Sequence, residues 1–225
     1  MKKVGIIGTG IAGLASAIRM AVRGYEVHVF EANSYAGGKL CEIQVGNYRF
    51  DAGPSLFTMP NYFEDLFALA GKKFSDYCPY QKLDTITHYF YSDGTRFNTY
   101  ADVQKSAQEM QDKLGIKKET VIEHLDRSKK IFELTADTFL HRSIHTFQNI
   151  TAFDLLKIGT NLGALDLFNT MHDTNVKKLK NEKAIQYFDR FATYNGSNPF
   201  EAPGTLNIIP HLEHHIGAFF PKGGM

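Results

Sequence analysis

Residues 4–13 of the 225-residue chain read Val-Gly-Ile-Ile-Gly-Thr-Gly-Ile-Ala-Gly, an apolar run followed by three closely spaced glycines. The apolar run over residues 4–7 predicts a short buried strand that leads directly into the glycines. Residues 11–23 have the apolar periodicity of a helix, and a second apolar run over residues 27–30 predicts another buried strand. Because such a crossover joins parallel strands, residues 2–31 are predicted to form one βαβ unit at the head of an α/β fold.

The three glycines of this stretch have the spacing G-x-G-x-x-G, as Gly8, Gly10 and Gly13. The first permits a tight turn, the second lets a pyrophosphate approach the backbone, and the third lets the helix pack closely on the strand. The first helical residues, Ile11 and Ala12, would offer free amides and the positive end of the helix dipole to phosphates. The alternative, an ordinary strand–turn–helix with incidental glycines, is disfavoured by the strand and the helix on either side.

Glu31 follows the second strand, where an acidic residue binds a ribose hydroxyl in dinucleotide-binding folds. A carboxylate at this position repels a 2′-phosphate, which argues against NADP as the main ligand. FAD and NAD present the same adenosine diphosphate to such a unit. The glycine spacing and Glu31 therefore leave both cofactors open.

A glycine pair follows Glu31 and Ala32, in the run Gly37-Gly38-Lys39. Two glycines permit a close turn of the backbone, and Lys39 could bring a cation near a pyrophosphate. The run from Glu31 to Lys39 resembles the glycine-pair element of the FAD-binding amine oxidase and phytoene desaturase superfamily. This resemblance implies that FAD is the cofactor. It also implies that the FAD-binding site includes Glu31, Ala32, Gly37, Gly38 and Lys39.

Residues 48–60 read Tyr-Arg-Phe-Asp-Ala-Gly-Pro-Ser-Leu-Phe-Thr-Met-Pro and narrow the choice of family. This segment is similar to the one that follows the glycine pair in bacterial phytoene desaturase-type carotenoid dehydrogenases, and most of all to the hydroxycarotenoid 3,4-desaturase branch. The resemblance implies that Gly53, Pro54 and Ser55 also contact the cofactor. Further matches to the family lie at residues 192–199 and 217–225.

The resemblance implies a Rossmann-like FAD-binding domain that carries a β-rich and helical substrate-domain insertion. It also implies a flavin reaction that introduces double bonds into a carotenoid or a carotenoid precursor, with a lipophilic polyene as substrate. No acid/base or nucleophile arrangement stands out, so no catalytic side chain is assigned. Proteins of this family continue well beyond Met225, and their later half completes the flavin-binding sheet, so we expect a missing C-terminal half and poor FAD binding by residues 1–225 alone.

Two other readings remain open at this point. Another FAD-dependent oxidoreductase of the amine oxidase superfamily would share the same nucleotide motifs. A non-redox relative similar to the Rab GDP-dissociation inhibitors would share the fold and bind isoprenoid-modified partners. The complete glycine pattern with Glu31 favours a bound dinucleotide over the non-redox reading.

The order of patterns along the chain predicts three parts. A FAD-binding βαβ unit with hairpins is predicted over residues 1–100, and a mainly helical, substrate- or membrane-facing region over 101–205. Residues 206–225 are predicted to begin the return to the flavin and substrate site. Hairpins are predicted at 40–50 and 85–100, and helices at 61–70, 102–114, 119–140, 152–171 and 182–194.

The composition excludes several classes of function. With 25 Lys and Arg against 24 Asp and Glu, the chain lacks the basic excess expected of a nucleic-acid-binding protein. Its two cysteines, Cys41 and Cys78, are too few for a disulfide framework or a four-thiolate zinc site, which favours a reducing cytoplasm. No apolar stretch approaches the roughly 18–20 residues of a membrane-spanning helix.

A helical apolar stripe and a run of lysines suggest a possible peripheral membrane contact. The stripe consists of Leu155, Ile158, Leu162, Leu165 and Phe168, and the basic residues are Lys177, Lys178, Lys180 and Lys183. Amphipathic helices beside lysines suit anionic membrane surfaces, where a lipid-soluble substrate would be found. The alternative is a core-facing helix followed by solvated charges. The expected location is therefore the cytoplasm, with contact at the inner face of the cell membrane as the open question.

Two groups of histidines have a spacing that can bind zinc on one helix face. They are His141 with His145, and His211 with His214 and His215 around Glu213. Neither group has the H-E-x-x-H order, and helices often carry two exposed histidines, so no metal site is predicted.

Overall fold

The computed structural model describes residues 1–140, 159, 163 and 165–225. Contacts between residues divide the chain into two compact units, residues 1–83 with 218–225 (unit 1) and residues 84–217 (unit 2). The histidines His141 and His145 and most of the predicted helix 152–171 lie outside the described residues. In the part of the chain that is described, no helix is long and apolar enough to cross a membrane.

Unit 1 begins with the predicted βαβ unit. Strand β1 (Lys3–Ile7) leads into helix α1 (Ile11–Val22), and strand β2 (Glu26–Phe30) returns parallel to β1. The register pairs the first residues of the two strands with each other and likewise the last, Ile7 with Phe30. The predicted Rossmann-like start of the fold is therefore present, with the glycine turn between β1 and α1.

The rest of unit 1 is a hairpin, a helix and a short pair of strands. Strand β3 (Glu42–Val45) pairs antiparallel with β4 (Tyr48–Asp51), and helix α2 covers Asn61–Leu69. A 3-10 turn at Phe74–Asp76 precedes strand β5 (Tyr80–Lys82), which pairs antiparallel with the last strand, β8 (Phe219–Pro221). The N–H of Leu83 donates to the carbonyl oxygen of Ala218 at 2.9 Å, so the two connections to unit 2 leave from adjacent points.

An aromatic cluster forms the best-packed part of unit 1. Phe57 is buried, and its ring centroid lies 5.0 Å from that of Phe63, 6.0 Å from Phe74 and 5.4 Å from Tyr80. Phe57 and Phe219 exchange two backbone hydrogen bonds of 2.8 and 2.9 Å. The aromatic rings of α2 and the β5–β8 pair thus bury one another, while none of the residues of α1 is buried.

Unit 2 consists of one hairpin and four described helices. Strands β6 (Thr85–Phe90) and β7 (Arg96–Tyr100) form the hairpin. The helices are α3 (Val103–Leu114), α4 (Lys118–Leu140), α5 (Met171–Leu179) and α6 (Glu182–Asp189). Side chains cap three of these helices at their N-termini, because Asp102, Thr170 and Asn181 accept hydrogen bonds from backbone amides of the first turns.

Three irregular turns follow α6. Two are 3-10 helices, at Arg190–Asn195 and Gly204–Ile208, and one is a π-helix, at Leu212–Ile216. The core of unit 2 lies between these turns, the hairpin and the helices. Its fully buried side chains include Phe97, Met110, Leu125, Tyr187, Phe188 and Phe191.

The structure departs from the sequence-based expectations at three places. The predicted helix 182–194 is α-helical only to Asp189 and continues as a 3-10 turn. The described end of the predicted helix 152–171 is turn over residues 165–168. The helix Met171–Leu179 and the pairing of β5 with β8 were not expected from the pattern. The division at residues 100 and 205 assigns roles to segments, and it stays a prediction.

Candidate nucleotide-binding site

The backbone geometry of the glycine turn after β1 requires glycine at two of its three glycine positions. Gly8 has a φ of +93°, and its N–H donates to the carbonyl oxygen of Phe30 at 2.7 Å. A Cβ built on Gly13 would lie 2.1 Å from the carbonyl oxygen of Gly8. The turn and the close approach of α1 to β1 therefore both depend on residues without a side chain.

Gly10 differs from these two glycines because it faces open space. Its φ of −65° suits any residue, and a Cβ built there meets no atom within 4 Å. Gly10 is also the N-cap of α1 and offers no side chain to the first-turn amides, including those of the exposed Ile11 and Ala12. The N-terminus of α1 is thus open to an anionic group that accepts hydrogen bonds from backbone amides.

Glu31 ties the glycine turn to the end of β2. Its Oε2 accepts hydrogen bonds from the N–H and the hydroxyl of Thr9, at 2.9 and 2.6 Å. Its Oε1 accepts from the backbone N–H and the side-chain amide of Asn33, both at 2.9 Å. The Asn33 amide and then the Thr9 donors lower the pKa of Glu31 to about 2, so the side chain is a carboxylate at neutral pH.

The four hydrogen bonds that Glu31 accepts affect its predicted role of binding a ribose hydroxyl. A carboxylate offers about four lone-pair positions, so a ribose hydroxyl would share or replace one of the Thr9 or Asn33 hydrogen bonds. The role of Glu31 toward a ribose stays a prediction. Sequence reasoning missed Thr9 and Asn33, because the glycine pattern leaves the identity of residue 9 unrestricted and does not extend to residue 33.

The glycine pair lies against the glycine turn. The N–H of Gly37 donates to the carbonyl oxygen of Thr9 at 3.0 Å, and Gly10 and Gly37 form an isolated parallel bridge. A Cβ built on Gly38 would lie 3.2 Å from the Cα of Gly10, and both residues of the pair have positive φ. Lys39 follows with an exposed side chain. The two glycine motifs that the sequence suggested for one site are therefore neighbours in space.

Gly53 packs against the backbone of Lys39, the residue that follows the glycine pair. A Cβ built on Gly53 would lie 2.1 Å from the Lys39 carbonyl oxygen, and the neighbouring Ala52 N–H donates to the carbonyl oxygen of Cys41 at 2.9 Å. Pro54 and Ser55 follow as exposed residues, and Ala32 is exposed as well. The structure thus places Gly53 beside Lys39, the residue after the glycine pair, and the contacts of these residues with a cofactor stay predictions.

The residues before Met225 pack against the β3–β4 hairpin. Gly224 has a φ of +110°, and a Cβ there would lie 2.0 Å from Nη1 of Arg49. The Arg49 guanidinium also donates to the carbonyl oxygen of Met225 at 3.0 Å and pairs with Glu42 and Asp51. The glycine at position 224 therefore makes room for an arginine of the same unit.

A second polar cluster lies within unit 2. Arg190 makes two hydrogen bonds to the fully buried carboxylate of Glu213, at 2.9 and 3.1 Å, and Tyr194 donates to the same group. The hydroxyl of Tyr187 and Nε2 of His214 are 2.6 Å apart. Burial, then the charges of His215 and Arg190, lower the pKa of His214 to about 3, so its ring is neutral.

The side chains around this polar cluster pack against one another as in a structural core. The Arg190 guanidinium lies 4.4 Å from the ring centroid of Phe191, and the rings of His211 and His215 stack at 4.8 Å. Among the residues that the structure describes, no group of three or more His, Cys, Asp and Glu could hold a metal ion.

Comparison with known proteins agrees with this geometry. Residues 6–72, which contain the glycine turn, Glu31 and the glycine pair, match the family described as an NAD(P)-binding Rossmann-like domain. The chain is 44% identical over all 225 residues to a 1-hydroxycarotenoid 3,4-desaturase of Flavobacterium sp. (strain P99-3). The resemblance to carotenoid desaturases is confirmed. The same region is 33% identical, over 228 residues, to a 4,4'-diapolycopene oxygenase of Methylomonas sp..

The chain spans about half the length of these curated relatives, 46% of the desaturase and 45% of the oxygenase. Solved structures extend the comparison to the fold. A putrescine oxidase variant aligns with the whole chain at a TM-score of 0.59 and 15% identity, over 46% of its own length. Cyclohexylamine oxidase from Brevibacterium oxydans aligns with 99% of the chain at a TM-score of 0.55 and 19% identity, again over 46% of its length. The predicted fold class is therefore confirmed.

Proposed function

We propose that this chain forms the nucleotide-binding part of an FAD-dependent enzyme that introduces carbon–carbon double bonds into a carotenoid or a carotenoid precursor. The observation that carries the proposal is the 44% identity, along the whole chain, to a 1-hydroxycarotenoid 3,4-desaturase. Because the chain spans 46% of that relative, the activity is proposed for a polypeptide of the relative's full length.

The glycine turn would hold the pyrophosphate of FAD. The backbone at Gly8 and Gly10 is open, and the first amides of α1 at Ile11, Ala12 and Gly13 supply donors at the positive end of the helix dipole. The carboxylate of Glu31 would accept a hydrogen bond from a ribose hydroxyl, in place of one that it now accepts from Thr9 or Asn33.

The resemblance of the glycine pair to that of FAD-binding amine oxidases and phytoene desaturases supports FAD over NAD. Gly37 and Gly38 bring the backbone against Gly10, and Gly53 packs on the carbonyl of Lys39. We assign these segments, with Ala32, Pro54 and Ser55, to the wall of the cofactor site. When bound, FAD supplies the hydride acceptor for a CH₂ group beside a polyene, while a proton leaves the neighbouring carbon. The role of the protein is to hold the two groups together and to exclude water.

The cofactor assignment is tested by titrating the product of the complete gene with FAD and separately with NAD. Gly10→Val fills the open space at the turn, so FAD binding should weaken at least about tenfold while the fold is kept. Gly5→Ala is the matched control, since its Cβ would lie at an ordinary 3.5 Å from the Phe30 ring. Unchanged FAD affinity in Gly10→Val, or a preference for NAD, would contradict the assignment.

The activity is tested by expressing the complete gene in a carotenoid-producing host and identifying the pigments by mass. Desaturation removes two hydrogens from the substrate for each double bond. A gain of oxygen would instead favour the reaction named for the oxygenase relatives. Consumption of an amine without any change of pigment would favour an amine oxidase, and a bound isoprenoid without turnover would favour the non-redox reading.

We also propose that unit 2 contacts an anionic membrane surface. Four exposed lysines, Lys117, Lys177, Lys178 and Lys180, surround a groove of about 420 Å³. Each lysine at an anionic lipid surface contributes about 1 kcal/mol, so the group would support peripheral binding where lipophilic substrates are dissolved.

The membrane contact is tested by sedimentation with phosphatidylserine-containing vesicles. The double variant Lys117→Glu, Lys178→Glu should lose at least about tenfold in vesicle binding. The control carries the same charge change on helix α4, as Lys129→Glu with Lys130→Glu, and should bind more strongly than the first variant. Equal binding by the two variants would contradict the assignment of the surface.

A further inference from the structure

Unit 2 contains a groove that the cofactor site does not use. It has a volume of about 640 Å³ and is lined by residues of α5, of α6 and of the loop before Ala202, among them Val176, Ile185 and Phe200. Grooves of this size hold small organic ligands. The side chains of Phe200 and Val176 are apolar but 60% and 41% exposed, so the groove offers apolar surface that is not yet buried.

A histidine and an aspartate form the polar end of this groove. Nδ1 of His172 lies 2.7 Å from Oδ2 of Asp189, and Asn175 donates to the other oxygen, Oδ1, at 2.7 Å. Because an ionised carboxylate only accepts hydrogen bonds, Nδ1 of His172 carries the proton. In the neutral ring Nε2 is then a hydrogen-bond acceptor, and among the described residues it has no hydrogen-bond partner.

The charges around the groove indicate which ligand end group suits it. Asp189 and Glu182 both line the groove and would repel a carboxylate or a phosphate. The one arginine among the lining residues, Arg190, is committed to the buried Glu213 by two hydrogen bonds. A neutral group that donates a hydrogen bond, such as a hydroxyl, matches the free acceptor on His172 and avoids this repulsion.

We propose that this groove binds the hydroxyl-bearing end of an elongated apolar ligand, with Nε2 of His172 accepting the hydroxyl proton in a hydrogen bond. The apolar body of the ligand lies along Val176, Ile185 and Phe200. The ring of Phe200 packs 4.3 Å from that of His172, so the apolar wall and the polar end are continuous. The identification of the ligand as a hydroxylated polyene rests on the proposed function.

The alternative is that His172, Asn175 and Asp189 only fasten α5 to α6. In that case removing the imidazole would lower stability but would not change how the protein distinguishes ligands by their end groups. The decisive measurement is therefore the difference in affinity between probes that share one polyene body. Suitable probes are retinol, its methyl ether and the parent hydrocarbon. Their binding to the complete gene product is measured by the change in fluorescence.

Retinol should bind about five- to tenfold more tightly than the ether and the hydrocarbon, because only the alcohol can donate to Nε2. His172→Phe keeps a ring against Phe200 and should bind all three probes equally. The control is His88→Phe, since His88 is exposed in the hairpin and bonds to Asn98 away from the groove. It should keep the preference for retinol.

Phe200→Glu serves as a second variant if His172→Phe does not fold. It replaces an exposed residue with a carboxylate in the groove and should weaken all three probes. Equal affinities of the original protein for the three probes, or a preference for retinol that survives His172→Phe, would overturn the proposal. Because binding is measured without turnover, a protein that prefers retinol but makes no double bonds would contradict the proposed function and leave the groove assignment standing.

Discussion

The two units bury their apolar residues to very different extents. In unit 2, Phe188 and Phe191 are completely buried and belong to one continuous core. In unit 1, Ile7 at the end of β1 is 92% exposed, Phe30 at the end of β2 is 60% exposed, and α1 has no buried residue. Phe188 lies in helix α6, and Ile7 and Phe30 lie in strands, so the difference between them is one of packing and not of regular secondary structure.

The two units therefore differ in the interactions that stabilise them. Unit 2 is stabilised mainly by removal of apolar surface from water. Within residues 1–225, the βαβ part of unit 1 buries few side chains, and its elements are connected by close backbone contacts and by polar bonds, such as those that Glu31 accepts from Thr9 and Asn33. Mutations should therefore act through volume and burial in unit 2, and through backbone geometry in unit 1.

The largest effect is expected from the same substitution made once in each unit. Phe188→Ala removes a fully buried ring and should lower the free energy of unfolding of unit 2 by about 3–5 kcal/mol. In the polypeptide of residues 1–225, Phe30→Ala removes a largely exposed ring and should lower the stability of unit 1 far less. Hydrogen exchange of peptides from residues 184–192 and 3–30 reports on each unit, and equal effects of the two substitutions would show that the units do not differ in packing.

Gly13→Ala should have the next largest effect. The added Cβ would lie 2.1 Å from the Gly8 carbonyl oxygen, so β1 and α1 must move apart, at a cost of about 1–3 kcal/mol. Gly5→Ala places its Cβ at 3.5 Å from a flexible ring and should leave unit 1 unchanged. Faster exchange of the β1 and β2 amides in the first variant only would support this reading. Similar exchange in both would show that the glycine turn tolerates side chains.

Acid should loosen unit 2 before unit 1. Burial, then the charges of Arg127 and Lys178, lower the pKa of His124 to about 3, and both of its ring nitrogens are buried without a partner among the described residues. The unfolded chain takes up a proton near pH 6.5, so stability falls as the pH drops below that value, by about 2 kcal/mol at about pH 5.

Glu31 acts in a lower pH range. Its folded pKa of about 2 lies below the ordinary 4.5, so its contribution to unit 1 is complete above pH 4.5 and is lost only as the pH falls toward 2. His124→Leu should remove about 2 kcal/mol of the loss between about pH 7 and pH 5, measured by urea unfolding. The exposed His88→Leu should not. An unchanged slope in His124→Leu would show that other groups carry the acid sensitivity.

The smallest effect is expected at the exposed end of β1. In the polypeptide of residues 1–225, Ile7→Ser should change the free energy of unfolding by no more than about 0.5 kcal/mol, because the Ile7 side chain is exposed there. The same change at the buried Ile131 of α4 should cost several times more. A large effect of Ile7→Ser, or a change in sedimentation, would show that another surface covers Ile7 in solution.

The βαβ unit could be predicted because its signals are local. Three glycines, an apolar strand on each side and the helical period between them lie within residues 2–31, and each agrees with the others. The hairpins and helices α2, α3 and α4 were found for the same reason. The nearness of Gly10 and Gly37, and that of Lys39 and Gly53, could be expected only from the family resemblance, since spacing alone does not place separate loops together.

The parts of the structure that were not predicted depend on contacts between residues far apart in the sequence, which a local sequence pattern does not indicate. Helix α5 was missed because its lysines resemble a solvated loop, although Met171 and Leu179 are buried. The β5–β8 pair has three residues per strand, too few for a clear alternation. The complete burial of Glu213 depends on hydrogen bonds from Arg190 and Tyr194, which the sequence pattern does not contain.

The β5–β8 pair also sets an order in which this polypeptide can mature on the ribosome. Tyr80–Lys82 is synthesised long before its partner Phe219–Pro221, and the whole of residues 84–217 must emerge between them. Closing a flexible loop of that length carries an entropy cost on the order of 4 kcal/mol. Unit 2 can bury its aromatic core during this interval, whereas the strand that receives Phe219 must wait. The β5–β8 pair of unit 1 therefore closes only after the whole of unit 2 has been synthesised.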